Sequence, residues 1–593
     1  MCGIAGVLQS TGPVQALERH LEHFQRVLHH RGPDDRGLWM NTQRNAGFAH
    51  TRLSILDLSD AGHQPMISAD GRRVICFNGE IYNFRELRQD LERQGAVFRT
   101  RSDTEVLLQL HAHEGERMVD RLRGMFAFCL WDEAEQTALL ARDALGIKPL
   151  YYHAGQGRLA FASELRALAV SGLFKPTLDA AAVQEYFQAG SVPEPLTLVS
   201  EVRMLEAGHS LVWRAGSHQK RCYWRLGFDA SCEGDPVRLT REALLDSVQH
   251  HFVSDVPVGV FLSGGIDSTA ILALANETGH RGISSFSIAV DDEAADESPI
   301  ARRTAAHFGS DHHELRLDAD LAQSLFERFL HHLDQPSIDG LNTFTVSTLA
   351  REHGMKVVLS GLGGDELFGG YASFTKVPQM LRLHPWLSQV PGITGLLQHG
   401  KPQHRRLVDF LRSSGSVLDA FRALRGIFSQ SEAAALTRWI AGVDSSGADD
   451  AAVPGAKCPE GDALDQVSRL EISRYMRNQL LRDSDVMSMA HSLELRVPFV
   501  DQRLIEVVTS IPAGLRFRPN KGLLTRAVPE VPEWVVNQKK RGFLFPYQKW
   551  LNSRWGAVLD ATAADAPVRM PQWYQKWSVY VLRHCLQSLE ITA

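Results

Sequence analysis

The chain has no pair of cysteines at CxxC spacing, no sustained run of one charge and no apolar stretch long enough to cross a membrane. Its seven cysteines (Cys2, Cys76, Cys129, Cys222, Cys232, Cys458 and Cys585) form an odd, scattered set. That argues against a disulfide framework or a zinc site and fits a reducing compartment. The histidines are scattered too, rather than set at metal-ligand spacing on a predicted helix, so zinc is not expected. No window sustains the ~18 apolar residues of a membrane helix, and the N-terminus lacks a basic region followed by an apolar stretch and a cleavage site. Lys and Arg number 63 against 69 Asp and Glu, a formal charge of -6 with both signs dispersed. This excludes the basic face of a nucleic-acid or membrane-surface protein, and a soluble cytoplasmic protein is the expectation.

What is present is length, and a change of style along it. At 593 residues the chain exceeds what one hydrophobic core organises, so two or more domains are expected. From residue 1 to about 213 it is dominated by short apolar runs such as RRVICFNGE, MFAFCLWD, RLAFASE and HSLVWR, punctuated by Gly, Asn and Asp. These predict two stacked, mostly antiparallel sheets, an α+β unit. Then RLTREALLDSVQHHF puts Leu244, Leu245, Val248 and Phe252 on one helical face, and VPVGVFLSGG reads as a buried strand ending in glycines. ISSFSIAV, HHELRLD and KVVLSG follow, separated by helical-length segments; this alternation marks a parallel α/β sheet with crossover helices. Beyond about 370 the chain reads as mostly helical, interrupted at 441–462 by a small, polar, Gly/Pro-containing stretch expected to be a mobile loop. The predicted division is 1–215, a linker at 216–235, and 236–593.

SGGIDS (263–268) joins the strand VPVGVFL to a helical stretch. Two glycines and two serines there let N–H groups and hydroxyls surround a phosphate at a helix N-terminus, although the GK[ST] ending of a Walker A loop is missing. LSGLGGDELFGGY (359–371) ends the strand KVVLSG. In an open parallel sheet both loops face one crevice beyond the strand ends, where Asp267 and Asp365 could share a magnesium ion held against phosphate oxygens. A lone Asp after glycines is usually a turn or cap residue; two on such loops at strand ends are harder to dismiss. At the other end, MCGIAG places Cys2 directly behind Met1, so removal of the methionine would leave a thiol beside its own α-amino group.

On SGGIDS and MCGIAG together, the chain resembles the glutamine-hydrolysing asparagine synthetases nearly end to end. The resemblance implies an N-terminal-nucleophile class II glutamine amidotransferase of αββα architecture, followed by an ATP-pyrophosphatase domain with a helical extension. Ser263, Gly264, Gly265, Asp267 and Ser268 would grip pyrophosphate, with Asp267 and Asp365 on Mg2+ and Leu262, Ile288, Ser360 and Gly361 lining the adenosine of ATP. Lys521 would reach into this site; Lys539, Lys540 and Arg541 would help cover it or form a solvated basic cluster. Cys2 would be the nucleophile, its α-amino group, of reference pKa ~7.7–8.0, taking the thiol proton, so that His29 and His30 need not be catalytic. Arg52 would hold the α-carboxylate of glutamine, with Leu53, Ser54, Ile55 and Leu56 offering backbone contacts. Asn78 and Gly79 would form the oxyanion hole, Glu80 would lie beside the substrate and Asp103 would pair with its ammonium. The implied reaction converts aspartate, glutamine and ATP into asparagine, glutamate, AMP and pyrophosphate through an aspartyl-adenylate. An apolar passage would carry ammonia between the sites, and homodimers are common among such relatives, although the sequence leaves this chain's oligomeric state open.

One position departs from the resemblance. Where the family usually carries an acidic residue, placed to deprotonate ammonia, this chain has Leu362. Either Glu366 or a substrate phosphate takes that role, or the acceptor is not free aspartate. The alternatives are amidation of another carboxylate, such as a sugar acid or a natural-product precursor, or an inert synthetase half in a glutamine-responsive protein.

Overall fold

The computed structural model describes residues 2–293, 296–443, 461–538, 545–546, 550 and 556–591. Lys539, Lys540, Arg541 and most of the 441–462 loop lie outside the described residues. Among the described residues no helix is long and apolar enough to cross a membrane.

The first half is built on two six-stranded antiparallel sheets. In the first, Cys2–Gln9 lies between Ala46–Arg52 and Arg158–Ala162. In the second, Arg73–Ile81 pairs with Gly124–Asp132, and Thr137–Arg142 and His209–Arg214 continue the sheet. Alternation along each strand sorts its side chains. Ile4 and Leu8 join Phe48, Cys76 and Trp131 in the core between the sheets, whereas Ala5 and Val7 pack outward with Leu17, Leu21 and Phe24 of the helix Leu17–Val27. Arg73–Ile81 divides in the same way: Val74 and Cys76 face the inter-sheet core, and Ile75, Phe77 and Ile81 pack against the helices Phe84–Arg93 and Asp103–Glu114. Helices outside two facing sheets give the four-layer order that the resemblance implied.

The expected linker at 216–235 begins inside this unit: Ser217–Cys222 is the edge strand of the second sheet, paired with His209–Arg214. Its SHQKRC sequence is almost wholly exposed, so no apolar alternation marked it as a strand.

The second half is an all-parallel five-stranded sheet in the order Asp311–Leu317, Ser284–Val290, Val258–Phe261, Val357–Leu359, Glu494–Arg496. Helices cover it, and apart from the strand Glu494–Arg496 the described residues from Ser373 to Ser588 are mostly helical. Buried ion pairs lock the halves together. Arg31 donates to Asp485 at 2.7 Å, and Lys148 Nζ reaches the same carboxylate at 3.4 Å. Arg123 takes Asp501 through two bonds of 2.9 Å, and Arg477 takes Glu194 at 2.9 Å.

Two candidate active sites

The register that places Cys2 opposite Arg52 also sets the first site. Cys2 shares a strand face with Ile4, and Asn78 shares one with Cys76, so both point into the space between the sheets. The Cys2 backbone nitrogen donates to Asn78 Oδ1 at 2.9 Å. The other end of that carboxamide, Asn78 Nδ2, is buried with no hydrogen-bond partner among the described residues. Gly79 has φ 149°, and a Cβ there would lie 2.0 Å from the Met125 carbonyl oxygen, so only glycine fits.

Around Cys2 a small pocket is lined by Arg52, Leu53, Ile55, Leu56, Glu80 and Asp103, among others. The Arg52 guanidinium is fixed by the carbonyls of Leu56, Asp57 and Ser59 at 3.3, 2.5 and 3.1 Å. Asp103 opens a helix capped by Ser102 and accepts from the Ile81 N–H at 3.0 Å; burial pushes its carboxyl up to about 6. Ser54 does not line the pocket; its N–H donates to Asp34, which also holds Lys356 across the domain boundary. Burial raises the Cys2 thiol, against the Leu53 N–H and the Arg52 guanidinium. Among the buried histidines, His50 bonds the Phe77 carbonyl and is pushed down to about 4 by burial, so it stays neutral. His30 is bound to Glu164 at 2.8 Å. Glu80 is buried with its carboxyl raised by desolvation, and it lies 3.3 Å from Arg496 of the parallel sheet.

The second site lies beyond the carboxyl ends of the parallel strands. Gly265 is the N-cap of the helix Ile266–Glu277, and Ser263 and Ser268 hydroxyls lie 3.2 Å apart at its mouth. The second glycine loop packs directly on the first: a Cβ on Gly361 would sit 2.8 Å from the Ser268 nitrogen, and one on Gly364 2.3 Å from Asp267 Oδ1. Lys521 enters from a turn in which it and Asn520 both have left-handed backbone, φ 52° and 53°. Its ammonium sits 2.6 and 2.5 Å from the Asp267 oxygens and 2.5 Å from Asp365. Burial alone would lower the Lys521 pKa, but the two carboxylates outweigh it and hold the pKa above its ordinary value. Two carboxylates already gathered about one positive charge form a donor set that fits Mg2+, which keeps waters and phosphate oxygens for its remaining positions.

The pocket beside these loops is lined by Leu262, Ser263, Gly265, Asp267 and Ser268, with Ser360, Gly361 and Leu362 opposite. Ile288 is buried and not among the lining residues; Phe286 and Ser287 of its strand are. Glu366 is absent from that wall as well. It is buried, accepts from the Tyr371 hydroxyl at 2.8 Å, and is pushed up to about 8 by burial and then by Asp365, so at neutral pH it is an acid and not a base. Sequence reasoning missed Asp339 and Asp483, which line the same pocket as Leu362. Both are raised by burial, Asp483 to about 8. No motif distinguished them from ordinary helix-flanking aspartates.

A buried apolar cluster adjoins the first site, in which Leu53 and Ile55 of the Cys2 pocket meet Val357 and Met489 of the second half.

Comparison with known proteins agrees with this bipartite plan. Residues 1–224 match a glutamine amidotransferase domain and residues 239–583 match asparagine synthase. A Bacillus subtilis protein named asparagine synthetase [glutamine-hydrolyzing] 1 is 35% identical over 93% of this chain and 88% of its own. A putative asparagine synthetase [glutamine-hydrolyzing] of Mycobacterium bovis is 35% identical over 94% of this chain and 89% of its own. A Gibberella zeae protein named amidase chry2 is 30% identical over 93% of this chain and 90% of its own. The chain belongs to the glutamine-hydrolysing asparagine synthetase family, with a glutamine amidotransferase domain ahead of the synthase domain.

Proposed function

We propose that the protein transfers the amide nitrogen of glutamine to a carboxylic acid, driven by cleavage of ATP to AMP and pyrophosphate. The observation that carries this is the Asn78 carboxamide: its oxygen holds the Cys2 nitrogen, and its buried NH2 has no partner among the described residues. A buried donor left unpaired is costly, so a site that keeps one has a use for it. Here that use is an oxyanion formed when the Cys2 sulfur adds to the glutamine amide, with the Gly79 N–H as the second donor.

With Met1 removed, the nitrogen on Asn78 is an α-amino group able to take the thiol proton and pass it to the departing ammonia. Arg52 and Asp103 would hold the α-carboxylate and ammonium of glutamine, and water would release glutamate from the thioester. In the second half, a carboxylate oxygen attacks the α-phosphorus of ATP and pyrophosphate leaves with the bridging electron pair. Ammonia then adds to the acyl carbon, AMP leaves with the carboxyl oxygen, and the surplus proton passes to phosphate or solvent. The glycine loops would surround the pyrophosphate, and Lys521 would follow its charge as it departs. Mg2+ on Asp267 and Asp365 would neutralise the same charge. Leu53, Ile55, Val357 and Met489 support an apolar route for ammonia, which water would convert to inert ammonium.

Aspartate is the acceptor the family favours. A second reading, an acceptor other than aspartate, is supported by Leu362, whose apolar side chain belongs to the nucleotide-pocket wall. The test is incubation with ATP, glutamine and a panel of acids. Acid-dependent release of AMP and pyrophosphate, matched by glutamate, is expected; glutamate formation with no acid-dependent pyrophosphate would reject the proposal.

A further inference from the structure

Beside the nucleotide pocket lies a larger cleft, about 1260 Å3 of open space against about 980 Å3. Two segments run from one into the other. Ile338 and Asp339 line the larger cleft, while Asp339, Gly340 and Asn342 line the nucleotide pocket. Arg474, Tyr475 and Gln479 line the larger cleft, and the next residues of the same helical stretch, Leu480, Asp483 and Ser484, line the nucleotide pocket. The boundary is also reached from the second glycine loop, through Glu366, the Tyr371 hydroxyl and an edge-on contact of the Tyr371 and Tyr475 rings with centroids 5.8 Å apart. The larger cleft is therefore an extension of the site where ATP would be cleaved.

Its walls have a definite chemistry. Ile338, Phe421, Tyr475, Trp573 and Tyr574 make it apolar and aromatic, with Ala189 and Pro193 contributed by the amidotransferase half. Arg422, Arg425 and Arg474 face it, against Glu185 and Asp339. Arg425 lies 4.3 and 4.1 Å from the Tyr371 and Tyr475 ring centroids and is tied to Glu471 at 2.7 Å. This is the composition of a small-molecule site, mostly apolar with a few placed charges, the arginines being held by Glu185 and Glu471.

We propose that this cleft is the acceptor subsite, and that it takes a carboxylic acid with an aromatic body, the ring among Ile338, Tyr475 and Trp573 and the carboxylate at the Asp339–Leu362 end. The inference rests on the reading that the second half activates a carboxylic acid. Aspartate, with an ammonium and a second carboxylate on a two-carbon body beyond its reacting group, offers no surface that those walls would cover.

The experiment uses the full chain with ATP, Mg2+, glutamine and one of benzoic, 3-phenylpropanoic, indole-3-acetic or aspartic acid, reading acid-dependent pyrophosphate release. At least one aromatic acid should exceed aspartate tenfold in kcat/KM. Trp573→Ala should lower kcat/KM for that acid about tenfold, chiefly through KM, while Trp573→Phe restores most of it. Glutamine hydrolysis in the same samples reports that the variants are folded. Pyrophosphate release with aspartate alone would overturn this inference and leave the amidation reading standing. Turnover of an aromatic acid that Trp573→Ala leaves unchanged would also overturn it, and no acid-dependent release with any of the four would overturn both.

Discussion

At the scale of single residues, two side chains decide most. In the proposed mechanism Asn78 divides its carboxamide between positioning and catalysis, so Asn78→Ala should lower kcat for glutamine hydrolysis about 10²–10³-fold with a smaller change in KM, measured by glutamate release. Glu366 carries a pH signature. Its carboxyl is raised by burial to about 8 from an ordinary 4.5, so the folded state holds a proton that the unfolded state has lost between those values. The associated stability is complete below about pH 4.5 and is lost as pH climbs through about 8. Glu366→Gln should therefore gain on the parent as pH rises, and denaturant unfolding at pH 6 and pH 9 should show the difference widening at pH 9. Cys2, Arg52, Asn78, Gly79 and Asp103 were all legible because each falls in a short motif. Asp339 and Asp483 were not, because a buried carboxylate becomes distinctive only through what surrounds it.

At the scale of elements, the candidate nucleotide site is made by two glycine loops in contact. Neither loop alone is more than a strand-to-helix turn; the missing Cβ atoms of Gly361 and Gly364 bring them within van der Waals reach of Ser268 and Asp267. Gly361→Ala would place a methyl 2.8 Å from the Ser268 nitrogen, where backbone must move. The expected outcome is loss of acid-dependent pyrophosphate release with glutamine hydrolysis retained, checked by assaying both on one preparation. Short apolar runs made most of the strands readable, since a strand buried on one face or both carries them. The edge strand Ser217–Cys222 shows the limit, because its pairing with His209–Arg214 rests on backbone hydrogen bonds that leave no apolar pattern in SHQKRC.

At the scale of the whole molecule, the halves are joined by buried charge around Asp485, which meets both Arg31 and Lys148 of the first half. Removing one partner of such a group strands the others in a low-dielectric interior. Asp485→Ala should cost about 3 kcal/mol, read as a lower denaturant midpoint, and should weaken the coupling of glutamate formation to pyrophosphate release. Tertiary structure also juxtaposes Leu53 and Ile55 with Val357 and Met489, residues some 300 positions or more apart in the chain.

The sequence by itself determined the two-part plan, and it singled out Cys2, Asn78, Gly79 and the two glycine loops as candidate site residues, because these depend on local spacing and on residue types with no substitute. Only the tertiary structure decided that Glu366 is buried acid rather than base, that Lys521 bridges Asp267 and Asp365, and that an aromatic cleft shares Asp339 with the pocket that Leu362 lines. Those facts depend on desolvation and on long-range proximity, which arise when distant segments pack and leave no period or motif behind.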